Sequence, residues 1–137
     1  MSQGVVAFEG VVREIPGLKC VTDLSSSQFC FVILSDNYTV AIATTDTLPI
    51  GVLQNTPLST AAAASPMACS VAGVGSVTKV KLGGTVTYGT KLTVGSSGTA
   101  IAVTQATDPV AAIALEGGSS GNYIAAYLCG GATLAAS

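Results

Sequence analysis

The stretch VTKVKLGGTVTYGTKLTVGSSGTAIAV, Val77 to Val103, holds two runs of alternating residues separated by glycine punctuation. Successive side chains of an extended strand point to opposite faces, so Thr78, Val80 and Leu82 share one face and Lys79 and Lys81 the other. That pattern predicts a half-buried β-strand ending at the Gly83-Gly84 turn. Beyond a second turn at Gly89, Lys91–Val94 and Thr99–Val103 flank Gly95-Ser96-Ser97-Gly98. This reads as a hairpin whose loop has glycines where positive φ is cheap. Hydroxyls, methyls and glycines make a surface and a core, and none of them is reactive chemistry.

A chain of 137 residues fits one domain with its own core. Charged residues make up only 9% and hydrophobic ones 49%, where a typical soluble protein is roughly 25% charged. The surface must therefore be neutral and partly apolar, and a disordered chain, which combines low hydrophobicity with high net charge, is excluded. The five cations (Arg13, Lys19, Lys79, Lys81, Lys91) form no patch of the kind that neutralises phosphates, so nucleic acid is not an expected partner. Lys79, Lys81 and Lys91 read more simply as the solvated face of a hairpin. No charge lies between Asp46 and Lys79, but Pro49, Pro57, Pro66, Gly73 and Gly75 interrupt that segment, which excludes a membrane-spanning helix.

The chain has no histidine, which removes the usual general base and the Ser-His-Asp arrangement. The seven acids are isolated; Asp46 and Asp108 precede prolines, where carboxylates accept hydrogen bonds from turn backbone. Gly83-Gly84 lacks the Gly-Lys-Ser/Thr of a phosphate loop. Cys20, Cys30, Cys69 and Cys129 form no Cys-x-x-Cys element, which argues against zinc. They read as core thiols, with a Cys20–Cys30 disulfide left open. No enzyme activity, metal or cofactor is expected.

Residues 1–19 read as an N-terminal arm and 20–137 as the β-domain. Val5, Val6, Phe8, Val11 and Val12 make the arm apolar, suited to packing on its own domain or docking on a neighbour. The N-terminus lacks the basic leader and long apolar run of a signal peptide, so synthesis and retention in a cytoplasm are expected. Phe29–Leu34, apolar on both faces, predicts a fully buried strand that turns at Ser35-Asp36-Asn37 and returns along Tyr38–Ala43. Leu48–Gln54 follows, with Gly51 marking a bulge or a close backbone approach. Leu58–Ser65 reads as a loop. Met67–Ala72, Val74–Leu82 and Val110–Glu116 are further strands, Gly117–Gly121 is a flexible loop, and Asn122–Cys129 is a final strand apolar on both faces. TDTLPIGVL (45–53) and TDPVAAIAL (107–115) echo one another; a duplication would imply two similar halves, chance similarity in a chain of low complexity explains the echo equally well, and nothing is built on it. About nine short strands predict an all-β single domain, a small barrel or sandwich of short antiparallel strands.

GGTVTYGTKLTVGSSGTAIAV (83–103), LPIGVLQNTP (48–57) and VAAIALEGGSSGNYIAAYL (110–128) follow one another as in the capsid cement, or head-decoration, proteins of tailed bacteriophages, which the chain resembles from Phe29 to Cys129. Gly89, Leu92 and Gly98 match that family's hairpin pattern and Gly51 its earlier strand glycine; Ala112 stands where a second strand glycine is common, and the cysteines are no family signature. The resemblance implies a small β-domain on the outer face of an icosahedral capsid, made in the host cytoplasm and carried on the virion. It implies trimers at local threefold positions that clamp neighbouring major capsid subunits. The alternative is a host-surface or carbohydrate-binding module of a phage fibre or tail, for which the available aromatic platforms are Tyr38, Tyr88, Tyr123 and Tyr127. An ice-binding surface would need a regular Thr-x-Thr array, and Thr85-Val86-Thr87 is a single instance.

Overall fold

The computed structural model describes residues 12–57 and 67–129. Eleven strands form among them: β1 (Lys19–Cys20), β2 (Phe31–Asp36), β3 (Thr39–Ile42), β4 (Gly51–Leu53), β5 (Met67–Ala68), β6 (Val71–Ala72), β7 (Val77–Lys81), β8 (Lys91–Val94), β9 (Ala100–Ala102), β10 (Ala112–Ala114) and β11 (Tyr123–Leu128). They make two sheets, ordered β5-β1-β3-β2-β4-β6 and β7-β11-β10-β8-β9. The expected all-β single domain is observed. One pairing departs from the antiparallel expectation, because β1 runs parallel to β3.

The two sheets are built on one plan. In the first, β2 pairs with β3 and β4, and β4 with β6; in the second, β8 pairs with β9 and β10, and β10 with β11. The segment entering each half closes it. Glu14 bridges Ala72 antiparallel before Lys19 meets Thr39 in parallel, just as β7 lies antiparallel to β11 before Leu82 meets Ala100 in parallel. Individual hydrogen bonds repeat too. Leu53 N–H donates to the Cys30 carbonyl at 3.0 Å and Ala114 N–H to that of Thr90 at 2.9 Å; Ile50 donates to Val32 at 2.9 Å and Ala111 to Leu92 at 2.8 Å. Gly73 donates to Arg13 and Leu128 to Ser76, both at 2.8 Å. These bonds set Val32 on Leu92, Val40 on Ala100, Gly51 on Ala112, Leu53 on Ala114 and Val71 on Ala126. The echo of 45–53 in 107–115 is one position out of register with these equivalences and therefore does not align the two halves.

Alternation then sorts the side chains. Leu18, Cys20, Val32, Val40, Leu53 and Val71 fill the first half-barrel. Their counterparts Leu92, Ala100, Ala114 and Ala126, with Val80 and Leu82, fill the second. The opposite faces of β2, β4 and β6 contribute Phe31, Val52 and Ala72 to the second cluster, so the first sheet is buried on both sides while the second is not.

Several strand readings change. β7 and β8 are not partners, since β11 and β10 lie between them, so Lys79, Lys81 and Lys91 do not form one hairpin face. Phe29–Leu34 is buried only through its middle; at the hairpin end Leu34 is 50% exposed. β11 has one wet face, carrying Tyr123 and Tyr127. The 117–121 loop is pinned rather than flexible: Gly118 exchanges backbone hydrogen bonds with Val86, and Gly121 donates to Leu82 at 2.8 Å. The expected 58–65 loop falls outside the described residues. Among those residues no helix is long and apolar enough to cross a membrane.

Candidate interaction surfaces

Of the apolar arm residues, Val5, Val6, Phe8 and Val11 lie outside the described residues. Val12 is 46% exposed and borders a shallow hollow with Phe29, Val77 and Lys79. The chain is tied down immediately after it: Arg13 N–H donates to Ser76 Oγ at 2.7 Å and Ile15 N–H to the Val71 carbonyl at 3.0 Å. Residues 13–19 thus sit in the sheet framework and deliver Val12 beside the second half.

The marked glycines serve different physical needs. A Cβ on Gly51 would lie 2.1 Å from the Ala72 carbonyl oxygen, so of the two sequence readings close approach is the one realised. Gly98 combines φ of +75° with a Cβ position 2.6 Å from the Phe31 carbonyl oxygen, which puts this turn directly on the first half. Gly83 and Gly95 make room for Thr99 and Ile101. Gly95 is extended, and the left-handed residue in its loop besides Gly98 is Ser97, at φ 56°, which corrects the expectation of positive φ at both glycines. Gly84 has nothing within reach of a Cβ.

The titratable groups serve structure. Asp108 is buried and its carboxylate accepts N–H bonds from Thr104 and Gln105, each at 3.2 Å. Glu116 accepts from Ala125 N–H at 2.8 Å. Hydrogen bonds from Ser25 hold the exposed Asp23 carboxyl below its usual range. Asp46 takes the other role in its turn, with φ of 63° and its N–H donating to the Val94 carbonyl at 3.0 Å. All four cysteines are free thiols, so the Cys20–Cys30 disulfide does not form. Burial pushes the Cys30 and Cys129 thiols up, and burial together with its Cys20 neighbour pushes Cys69 up to about 12. Such thiols are poor nucleophiles at neutral pH. Among the described residues no three His, Cys, Asp or Glu side chains come together to hold a metal ion.

Exposed large apolar residues are what the surface offers. Leu34 (50%), Tyr38 (67%) and Leu48 (53%) stand on the first half, and Tyr88 (80%), Leu115 (51%), Tyr123 (47%) and Tyr127 (42%) on the second. The four tyrosines are the aromatic platforms the sequence offers, whereas Leu34, Leu48 and Leu115 read from sequence as ordinary apolar strand residues. Tyr38 follows the Ser35-Asp36-Asn37 turn and is left-handed in the structure, with φ of 52°. Tyr123 is held edge-on against Phe29, with ring centroids 5.8 Å apart.

No family model matches the sequence, and no curated protein matches it. Among solved structures the chain is similar to the N base of the head fibre gp8.5 of bacteriophage phi29, with a TM-score of 0.65. The match covers 81% of this chain and 89% of that one at 16% sequence identity, which makes it a likeness of fold.

Proposed function

We propose that this chain is a structural protein of a phage virion. In this reading it binds the outer surface of an icosahedral capsid and clamps neighbouring major capsid subunits as trimers. The observation that carries the reading is the fold shared with a phage head-fibre base over 89% of that chain's length. Composition supports it: a chain with only 9% charged residues and with large apolar side chains left outside suits protein partners better than small ligands. The role needs no catalysis, cofactor or metal, and neither nucleic acid nor membrane as partner. Sedimentation of purified chain with capsids that lack it tests this. Saturable binding in a fixed ratio to the major capsid protein is expected, and no co-sedimentation would overturn it.

The fibre-base neighbour also favours a second reading, in which the chain belongs to a phage fibre or tail and meets the host surface or its carbohydrate. All four tyrosines are exposed, as such contacts require. Binding to host cells or a glycan array, without binding to capsids, would select it.

A further inference from the structure

The first sheet closes on itself. In the order β5-β1-β3-β2-β4-β6 the end strands are β5 and β6, and the residues between them in sequence are Cys69 and Ser70. The seam of the first half-barrel therefore runs through this dipeptide. Backbone hydrogen bonds hold it from both sides: Cys69 N–H donates to the Leu18 carbonyl at 3.0 Å, and Gln54 N–H to the Ser70 carbonyl at 2.7 Å.

A second cysteine stands beside this seam. β5 runs antiparallel to β1, with Lys19 opposite Ala68 and Cys20 opposite Met67. Continuing that register sets Cys69 across from Leu18, so Cys69 and Cys20 are diagonal neighbours on one face of the ladder. Both side chains are buried in the first core cluster, and the Cys20 thiol is a hydrogen-bond neighbour of the Cys69 sulfur. The remaining cysteines lie elsewhere. Cys30 borders a hydroxyl-lined hollow with Lys81 and Ser97, and Cys129 an apolar one with Phe31 and Leu48.

We propose that Cys20 and Cys69 form an oxidative cross-linking site, a thiol pair that a small-molecule disulfide such as oxidised glutathione converts to a bond fastening the seam of the first half-barrel. Cys69 acts first, because Cys20 is wholly buried whereas Cys69 adjoins β5, a two-residue edge strand exposed at both positions. Its thiolate attacks one sulfur of the oxidant, breaking the S–S bond and releasing one glutathione thiolate. The Cys20 thiolate then attacks the Cys69 sulfur of the mixed disulfide and releases the second. The two cysteine protons and two electrons end on the two glutathione thiols. A disulfide holds its Cα atoms closer than a diagonal pair in a flat ladder does, so β5 shifts toward β1 as the bond forms. An edge strand is the element of a sheet that opens and moves most readily. The cross-link closes a loop of about 50 residues in the unfolded chain and so favours the folded one.

The test compares the full chain reduced and after exposure to oxidised glutathione at about pH 8.5, where an ordinary thiol begins to ionise. Free thiols are then alkylated and the peptides mapped by mass spectrometry. One intramolecular disulfide joining Cys20 to Cys69 is expected, with a thermal midpoint raised by about 10 °C over the reduced chain. A Cys30→Ala/Cys129→Ala double variant should keep both results, and Cys69→Ala should lose both. The double variant retains the two partners and decides the case even where Cys69→Ala folds poorly. Four free thiols after exhaustive oxidation would overturn the proposal. So would glutathione adducts that never resolve to a cross-link, a disulfide that uses Cys30 or Cys129, or a cross-linked chain no more stable than the reduced one.

Discussion

Phe29 and Gly89 occupy the same place in the two halves of the molecule. Both are left-handed, with φ of 65° and 77°. Each donates its N–H at 2.7 Å across to the matching strand, Phe29 to the Leu53 carbonyl and Gly89 to that of Ala114. One half fills the position with the residue best suited to it, and the other with a phenylalanine whose ring packs against Tyr123. In the first half side-chain packing offsets backbone strain.

Gly89→Ala isolates that strain, because no atom lies within 4 Å of the added Cβ. A left-handed alanine costs roughly 1–2 kcal/mol. Chemical denaturation should show a lower midpoint by that amount with an unchanged slope.

Gly51→Ala should be much worse than its φ suggests. Its Cβ would meet the Ala72 carbonyl at 2.1 Å, in the first sheet where β4 is paired on both sides, with β2 and β6. Overpacking of this kind costs on the order of 3 kcal/mol or more. At the equivalent place the native residue is already Ala112, so Ala112→Gly should cost only about 1 kcal/mol by thermal denaturation.

Thr93→Val should stabilise the fold. The Thr93 hydroxyl is fully buried without a hydrogen-bond partner. Replacing it with a methyl of the same shape removes a desolvation cost of roughly 1–3 kcal/mol. A melting temperature raised by about 3 °C or more would agree, and an unchanged or lower one would show that the hydroxyl is satisfied.

Alkali should unfold the protein by way of its thiols. The folded pKa of Cys69 is raised from 9.0 to about 12, so the folded state holds the proton more tightly than the unfolded chain. Its contribution is fully present below about pH 9 and is lost as pH rises toward 12. Stability measured across that window should fall, and Cys69→Ala should flatten the slope.

Deleting residues 1–11 should weaken capsid binding and leave the domain folded. The cut stops before Arg13 and Glu14 because their backbone closes the first half against Gly73 and Ala72. Circular dichroism and capsid sedimentation of the truncated chain check both parts, and unchanged occupancy would remove the arm from the account.

The fold class was legible because alternation in Val77–Leu82 and the turn glycines act locally. Topology was not, since β7 and β8 are near in sequence and separated by two strands in space. The repeat was nearly invisible because its equivalences rest on backbone hydrogen bonds, which tolerate Phe29 for Gly89 and Gly51 for Ala112. Which sheet face is covered was hidden for a related reason. Ile113 reads from sequence as one more apolar strand residue and Tyr127 as part of a strand apolar on both faces as well as an available aromatic, and only the arrangement of the halves shows that, among the described residues, one outer face is covered and its counterpart is not.

Quantitative mass spectrometry of phage particles purified from cells that produce the chain tests the capsid reading most directly. The account predicts a copy number approaching that of the major capsid protein. Absence of the chain from particles, or a handful of copies confined to a fibre or tail, would contradict it.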